Sequence, residues 1–209
     1  MTILVGPPGV LIAIEGIDGA GKTTQTARVA EALRAEGYDV VTSHEPTDGP
    51  WGRRIRASAS TGRMSPDDEL AAFLEDRKEH VATLIGPSLT AGRVVIIDRY
   101  YFSSVAYQGV RGLDPDDILR RNEAIAPRPD LLVLLELDAR DGVARVNARG
   151  KGNLFEREDD LRRSAALFAA ITRPAPLRID AKRAAEDITA EIVSALHARV
   201  LAGRATTRR

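Results

Sequence analysis

Apolar positions along the 209-residue chain alternate between two rhythms. "GVLIAIEG" (9–16), "RVVIID" (93–98) and "DLLVLLELD" (130–138) are short, nearly continuous apolar runs, the pattern of strands buried on both faces. "YDVVTS" (38–43) and "LRID" (177–180) read as two shorter strands. Between these runs the apolar residues return at helical spacing. In "KTTQTARVAEALRAEG" (22–37), Val29, Ala30 and Leu33 share one face, and Gly37 stands where a helix stops. Residues 66–92 open with the acids of a helix start and continue as one long helical segment, with a kink expected at Pro87. Residues 184–203 close the pattern as an amphipathic helix. This alternation predicts an α/β fold, a three-layer sandwich around a five-stranded, mainly parallel sheet.

No internal repeat and no linker divides the chain, so residues 1–209 are expected to form a single domain. "ARVNARGKGNLFERE" (144–158), charged and broken by glycine, is expected to be an irregular, mobile lid, and "RATTRR" (204–209) a disordered tail. Charge changes the picture by exclusion. Lys+Arg and Asp+Glu balance at 30 each, so no basic field advertises nucleic acid. The absence of cysteine leaves no disulfide frame and no thiolate metal site, which suits a reducing cytosol. The longest apolar runs, at 94–97 and 131–135, fall far short of the ~20 residues that span a bilayer. The first ten residues lack a signal-peptide pattern. These features lead to the expectation of a cytoplasmic protein with neither nucleic acid nor membrane as partner.

The candidate chemistry begins at "GIDGAGKT" (16–23), which satisfies G-x-x-x-x-G-K-[ST] between a predicted strand and a predicted helix. Backbone N–H groups of such a loop (Gly16, Ile17, Asp18, Gly19, Ala20, Gly21, running on to Thr24) surround phosphate oxygens at a helix N-terminus. Lys22 then reaches the β/γ-phosphates and Thr23 holds Mg²⁺. "VVIID" (94–98) ends in Asp98 at a strand's C-terminal end, outside which ligands of parallel sheets bind. There Asp98 would orient either the Mg²⁺ shell or a substrate group. The plainer readings are a glycine-rich turn and a strand-end cap. Motors, switches, transporters and kinases all use such loops, but the guanine-reading N-K-x-D segment of GTPases is missing. A short chain with an arginine-rich irregular segment points instead to a small kinase whose lid closes over two nucleotides.

"DRYYFSSVAYQGVRGLD" (98–114), taken with "EGIDGAGKTTQ" (15–25), "HEPTDGPWGRRIR" (44–56) and "AAFLEDRKEHV" (71–81), resembles the thymidylate kinases. The resemblance runs in order over roughly residues 9–195. It implies a P-loop kinase fold with a small lid, ATP as phosphoryl donor, Mg²⁺ as cofactor, dTMP as acceptor and a homodimer through packed helices. Residue by residue, it implies that Phe73 stacks on thymine and that Arg77 binds the base and bridges toward the phosphate. Arg99 would grip the monophosphate, Ser103 and Ser104 would lie near the base, Tyr107 would pack beneath the deoxyribose, and Gln108 would hydrogen-bond base or sugar. Glu45 and Pro46 would form a loop over the acceptor, with Arg54 or Arg56 adding positive charge. His44 departs from the arginine that many relatives carry there. On spacing alone, Phe73 also fits an apolar face with Leu70, Leu74 and Val81, and Arg77 an ordinary surface position.

Members of the family take a catalytic arginine either from the phosphate loop or from the lid. Gly19 occupies the loop position here, so the lid is expected to supply it. Arg145, Arg149, Lys151 and Arg157 are the candidates; Arg149 is preferred, and Arg145 and Arg157 stay open. Phe155 and Glu156 resemble a family pair whose Glu reaches the acceptor or its metal, although Asn153 and Leu154 depart from the family pattern before it. Arg145 at the lid base and Ala181 after "LRID" are expected beside adenine. Asp18 is expected to face the acceptor, completing a catalytic set with Lys22, Arg99 and Arg149. A kinase of another deoxynucleotide or of a nucleoside, and a non-catalytic nucleotide-binding protein, are the alternatives.

Overall fold

The structure is a computed structural model that describes residues 9–148 and 155–201, with side chains at all of these except 60–61 and 155–157. Five strands, β1 (Val10–Glu15), β2 (Val40–His44), β3 (Val94–Asp98), β4 (Leu131–Glu136) and β5 (Leu177–Asp180), form one sheet in the order β2-β3-β1-β4-β5. Every pairing is parallel. The apolar runs are the reason: all six residues of β1 and all five of β3 are buried, as strands covered on both faces require. Register then aligns the C-terminal ends. Asp98 pairs with Ile14 of β1 and with His44 of β2, while Glu15 pairs with Leu134 of β4. β1 lies at the centre with β3 and β4 on either side, so the chain leaving it enters the crevice where the strand order reverses.

Helices cover both faces. α1 (Lys22–Ala35) packs on β1, β2 and β3, and ends where Gly37, at φ 89°, lets Tyr38 N–H bond back to Leu33 O. The long segment after Pro66 divides. α3 (Pro66–His80), capped by Ser65, passes through a wider turn at Val81–Ile85, where Gly86 N–H bonds to Val81 O, into α4 (Gly86–Thr90). The expected kink at Pro87 is therefore corrected to a widened stretch just ahead of it, which absorbs the N–H that proline lacks. α2 (Pro50–Thr61) precedes α3 and packs on it; α5 (Tyr101–Val110) packs against α3 and α6 (Pro115–Glu123). Apolar periodicity left 50–61 and 115–123 unassigned, although Asp114 capping the Asp116 N–H, followed by Pro115, is a helix-start signature.

The segment expected to be an irregular lid is also corrected. α7 (Ala139–Asn147) runs into it, and α8 (Phe155–Ala170) begins within it. Its middle, like the tail at 204–209, lies outside the described residues. α8 packs on α5 and α7, and α9 (Ala185–Leu196), extended by a wider turn at His197–Leu201, packs on α1. Among the described residues no helix is long and apolar enough to cross a membrane.

Candidate active site

The loop after β1 is shaped by backbone that suits only glycine. Gly16 and Gly19 have φ of 142° and 85°. A Cβ at Gly19 would stand 2.6 Å from Gly142 O on α7, and a Cβ at Gly142 would stand 2.7 Å from Asp18 O. Two glycines thus let α7 press directly onto the loop, and position 19 has no room for a side chain. Lys22 folds over the same loop, donating to Gly16 O at 3.0 Å and Ile17 O at 2.8 Å. It is buried, which pushes its ammonium down to about 7; Arg99 adds to the shift, and Asp18, Asp98 and Glu15 oppose it. A cavity of about 340 Å³ lies over the loop, bounded by Lys22, Thr23, Thr24 and Asp98, with Asp18 and Arg99 on its far side.

Thr23 Oγ1 donates to Asp98 Oδ2, which joins the two residues expected at a metal. The other oxygen, Asp98 Oδ1, is buried and has no partner. A carboxylate oxygen left in this state next to a hydroxyl suits a hard divalent cation that takes few protein ligands and completes its shell from phosphate. The described residues contain no group of three or more acidic, His or Cys side chains gathered as a metal cage.

The chain turns sharply after β3. Arg99 has φ of 65°, a left-handed conformation that costs a non-glycine residue roughly 1–3 kcal/mol. Three contacts hold it. Arg99 N–H bonds to Ile14 O at 3.0 Å, and Glu15 at the end of β1 accepts from Tyr100 N–H at 2.7 Å and Ser103 N–H at 3.0 Å. The second Glu15 oxygen accepts from the Ser103 hydroxyl at 2.6 Å, so this buried carboxylate caps α5 from a different element. Burial pushes the Glu15 carboxyl up to about 7, against the pull of those donors and of Arg99 and Lys22. The Arg99 guanidinium reaches Asp18 Oδ1 and lies over the Tyr107 ring, 5.5 Å from its centre. Tyr107 OH approaches the same Asp18 oxygen at 3.5 Å, and burial lifts this phenol to about 12, so it stays protonated. Asp18 therefore meets Arg99 and Tyr107, two residues expected at the acceptor, and lines the cavity over the loop as well.

Beyond Arg99 a second cavity, of about 460 Å³, opens between α2, α3 and α5. Glu45, Pro46, Phe73, Arg77, Ser104, Tyr107 and Gln108 all line it, together with Asp18 and Arg99. Phe73 is half-buried on the cavity wall, while its neighbours Leu70 and Leu74 join Val105 and Ile118 in a small core cluster. The apolar face of α3 is thus separate from the residue expected to stack on a base. Arg77 is 1% exposed and is not the surface arginine that spacing allows. Its Nε and Nη2 donate to Glu45 Oε2 at 2.8 and 2.6 Å, Nη1 reaches Asn122, and Nη2 approaches Ser104 Oγ at 3.4 Å. His80, bonded to Ser43 Oγ at 2.8 Å, contacts the other Glu45 oxygen at 3.0 Å. Burial works against the Glu45 charge, but Arg77 and His80 outweigh it and hold the carboxyl below its ordinary range.

Other expected residues fall elsewhere. Arg56 lines an adjoining crevice with Asp98 and Arg99, and its donors are committed to Pro46 O, Thr47 O and Asp48. Arg54 sits over Trp51, 5.5 Å from the ring centre. Arg145, on α7, donates to Gly19 O at 3.3 Å and Ala181 O at 3.1 Å, which ties the loop to the residue expected beside adenine. Arg149 and Lys151 lie outside the described residues, as do the side chains of Glu156 and Arg157. Motif reading missed Glu15's capping role, His80, Asn122 and the Glu69 cluster below. Glu15 carried a signal, an acid at the end of an otherwise apolar strand; Asn122 carried none.

Known proteins are similar to this chain over the same stretch. The thymidylate kinase family model matches residues 14–192. A protein named "Thymidylate kinase" from Xanthomonas euvesicatoria pv. vesicatoria is 51% identical over 212 residues, 99% of this chain and 93% of the relative. One of the same name from Xanthomonas oryzae pv. oryzae is 51% identical over 189 residues, 90% of this chain and 83% of that relative. Another from Akkermansia muciniphila is 45% identical over 191 residues, covering 91% of this chain and 93% of its own. A family model spanning most of the sequence, together with relatives of this similarity along nearly their full length, establishes that the chain belongs to the thymidylate kinase family.

Proposed function

We propose that the protein transfers the γ-phosphoryl group of ATP to dTMP, giving ADP and dTDP. The observation that carries this reading is the junction of two cavities: one over the glycine loop and a larger one lined by Phe73 and Tyr107, meeting at Asp18 and Arg99. Phosphoryl transfer asks for in-line placement and charge neutralisation rather than covalent work from protein groups. The loop amides and Lys22 receive the donor phosphates. Arg99, held by its strained turn and by Asp18, is aimed at the acceptor phosphate as a charge-assisted donor. Phe73 and Tyr107 supply flat surfaces for a pyrimidine and its sugar. Asp98 and Thr23 would hold Mg²⁺, which supplies neutralisation of the β/γ charge when bound. No general base is needed, because the attacking phosphate oxygen is already an anion. Arg145 is the residue assigned to the adenine ring, and Arg149 is the lid residue assigned to the transferring group; a homodimer goes with the family reading.

An ADP-release assay with Mg·ATP and a panel of nucleoside monophosphates and nucleosides tests it. Fastest turnover with dTMP is expected. Turnover only with a nucleoside would move the acceptor assignment, and no turnover with any acceptor would leave a nucleotide-binding protein.

A further inference from the structure

At the end of the acceptor cavity away from the loop sits a carboxylate with three partners. Glu69, on α3, is 5% exposed. Its oxygens take Arg63 Nε at 2.9 Å and Nη2 at 3.1 Å, Arg111 Nη1, and Gln108 Nε2 at 2.8 Å. Arg111 is itself anchored by donating to Met64 O at 2.7 Å. Burial pushes the Glu69 carboxyl up, but Arg63, Gln108 and Arg111 outweigh it and keep the group ionised.

An ionised carboxylate can only accept. Gln108 must therefore turn its NH₂ toward Glu69. Its carbonyl oxygen, Oε1, is left buried without a partner, on a side chain 2% exposed that lines the cavity. A buried acceptor without a donor costs free energy unless a ligand supplies one. Along the same wall stand Arg77 and the Ser104 hydroxyl, both able to donate. The wall thus offers an acceptor beside donors. That set complements a pyrimidine whose ring nitrogen carries hydrogen and whose neighbouring exocyclic group is a carbonyl. It opposes one whose ring nitrogen accepts and whose exocyclic group is an amine.

We propose that Glu69 is a specificity-determining positioning residue: by holding the Gln108 NH₂, it fixes Gln108 Oε1 as an acceptor and selects thymine over cytosine in the acceptor cavity. This rests on the acceptor being a pyrimidine nucleotide, as proposed above. In Glu69→Gln the partner of Gln108 can donate as well as accept, and the amide is free to present either end.

The test is a competition assay with dTMP and dCMP together, because the ratio of their kcat/KM values does not depend on how much enzyme is folded. In Glu69→Gln and separately in Gln108→Leu, the dTMP/dCMP ratio is expected to fall by about 10- to 100-fold, the discrimination that one buried unpaired polar group provides. The double variant should fall no further than Gln108→Leu alone, since Glu69 acts through that amide. An unchanged ratio in Glu69→Gln would reduce Glu69 to a structural anchor and overturn the proposal. So would a double variant whose two losses add. Wild-type enzyme inactive toward dTMP would instead overturn the function on which the proposal rests, and the wild-type control separates the two failures.

Discussion

The donor loop and the acceptor cavity adjoin at Asp18 and Arg99, yet they are built on opposite plans. The loop is made of backbone: contiguous residues, glycine conformations and one lysine folded back on loop carbonyls. The cavity is made of side chains from α2, α3, α5 and the stretch just after β2, and its buried charges are already satisfied by one another. Arg77 pairs with Glu45, and Glu69 pairs with Arg63 and Arg111. The donor side therefore holds charge in reserve for a ligand, whereas the acceptor side uses most of its charge to hold its own shape. Removing a charge should have different consequences on the two sides.

The largest effect belongs to the acceptor side. Arg77→Ala leaves Glu45 buried with only His80 and leaves Asn122 Oδ1 without its donor. Breaking one member of a buried pair costs about 3–5 kcal/mol, so the urea midpoint should drop with the m-value unchanged and activity should be lost with it. A loss below about 1 kcal/mol would mean that water enters and the cavity is not self-supporting.

Lys22→Met breaks the comparison in the other direction. Removing a phosphate-directed donor is expected to lower kcat by about 10²–10³-fold. The nucleotide-free protein should lose no stability, because burial already disfavours this cation. A variant equally slow but markedly less stable would show that the lysine supports the loop as much as it serves the ligand.

The same division explains what was legible in the chain. Gly16 to Thr23 could be read because eight adjacent residues fix the loop's conformation, and β1 and β3 could be read because double burial leaves no polar position in them ahead of their terminal acids, Glu15 and Asp98. Asp98 followed from its place at a strand end. Phe73 and Arg77 were different: spacing placed one in the core and the other in solvent, and only the family resemblance brought both to a cavity wall. Asn122 and the Glu69–Arg111 pair were invisible, since they meet only after α3, α5 and α6 have packed. α7 escaped notice because Gly142 interrupts its helical pattern, and the reason for that glycine is a tertiary contact.

That contact gives the next effect in size. Gly142→Ala gains up to about 1 kcal/mol of helix propensity, yet the new methyl would stand 2.7 Å from Asp18 O. The obstacle is backbone, which cannot rotate away, so overpacking should prevail with a net loss of about 1–2 kcal/mol. α7 would be pushed off the loop, and Arg145, which bridges Gly19 and Ala181, would move with it. The KM for ATP should rise while that for dTMP stays within about twofold, the pattern of lost ground-state binding on one side only. Equal changes in both constants would mean that the loop and the cavity respond as one body.

The smallest effect tests whether the loop really holds its charge at a cost to stability. Glu15 has a folded-state value of about 7 against an ordinary 4.5, so its stabilising share is complete below 4.5 and is lost as pH rises toward 7. Lys22 falls to about 7 from 10.5, so its share is complete above 10.5 and is lost as pH falls toward 7. The two limbs meet, and the nucleotide-free protein should show a shallow minimum in thermal midpoint near pH 7. Lys22→Met should flatten only the alkaline limb and Glu15→Gln only the acid one, each by about 2–4 °C, the size of a 1 kcal/mol change in a chain this long. Saturating Mg·ATP should erase the alkaline limb in wild-type protein, because donor phosphates give Lys22 the counter-charge that burial denies it. If the minimum survives nucleotide, the charge on the loop is matched within the protein, as it is in the acceptor cavity, and the contrast between the two regions disappears.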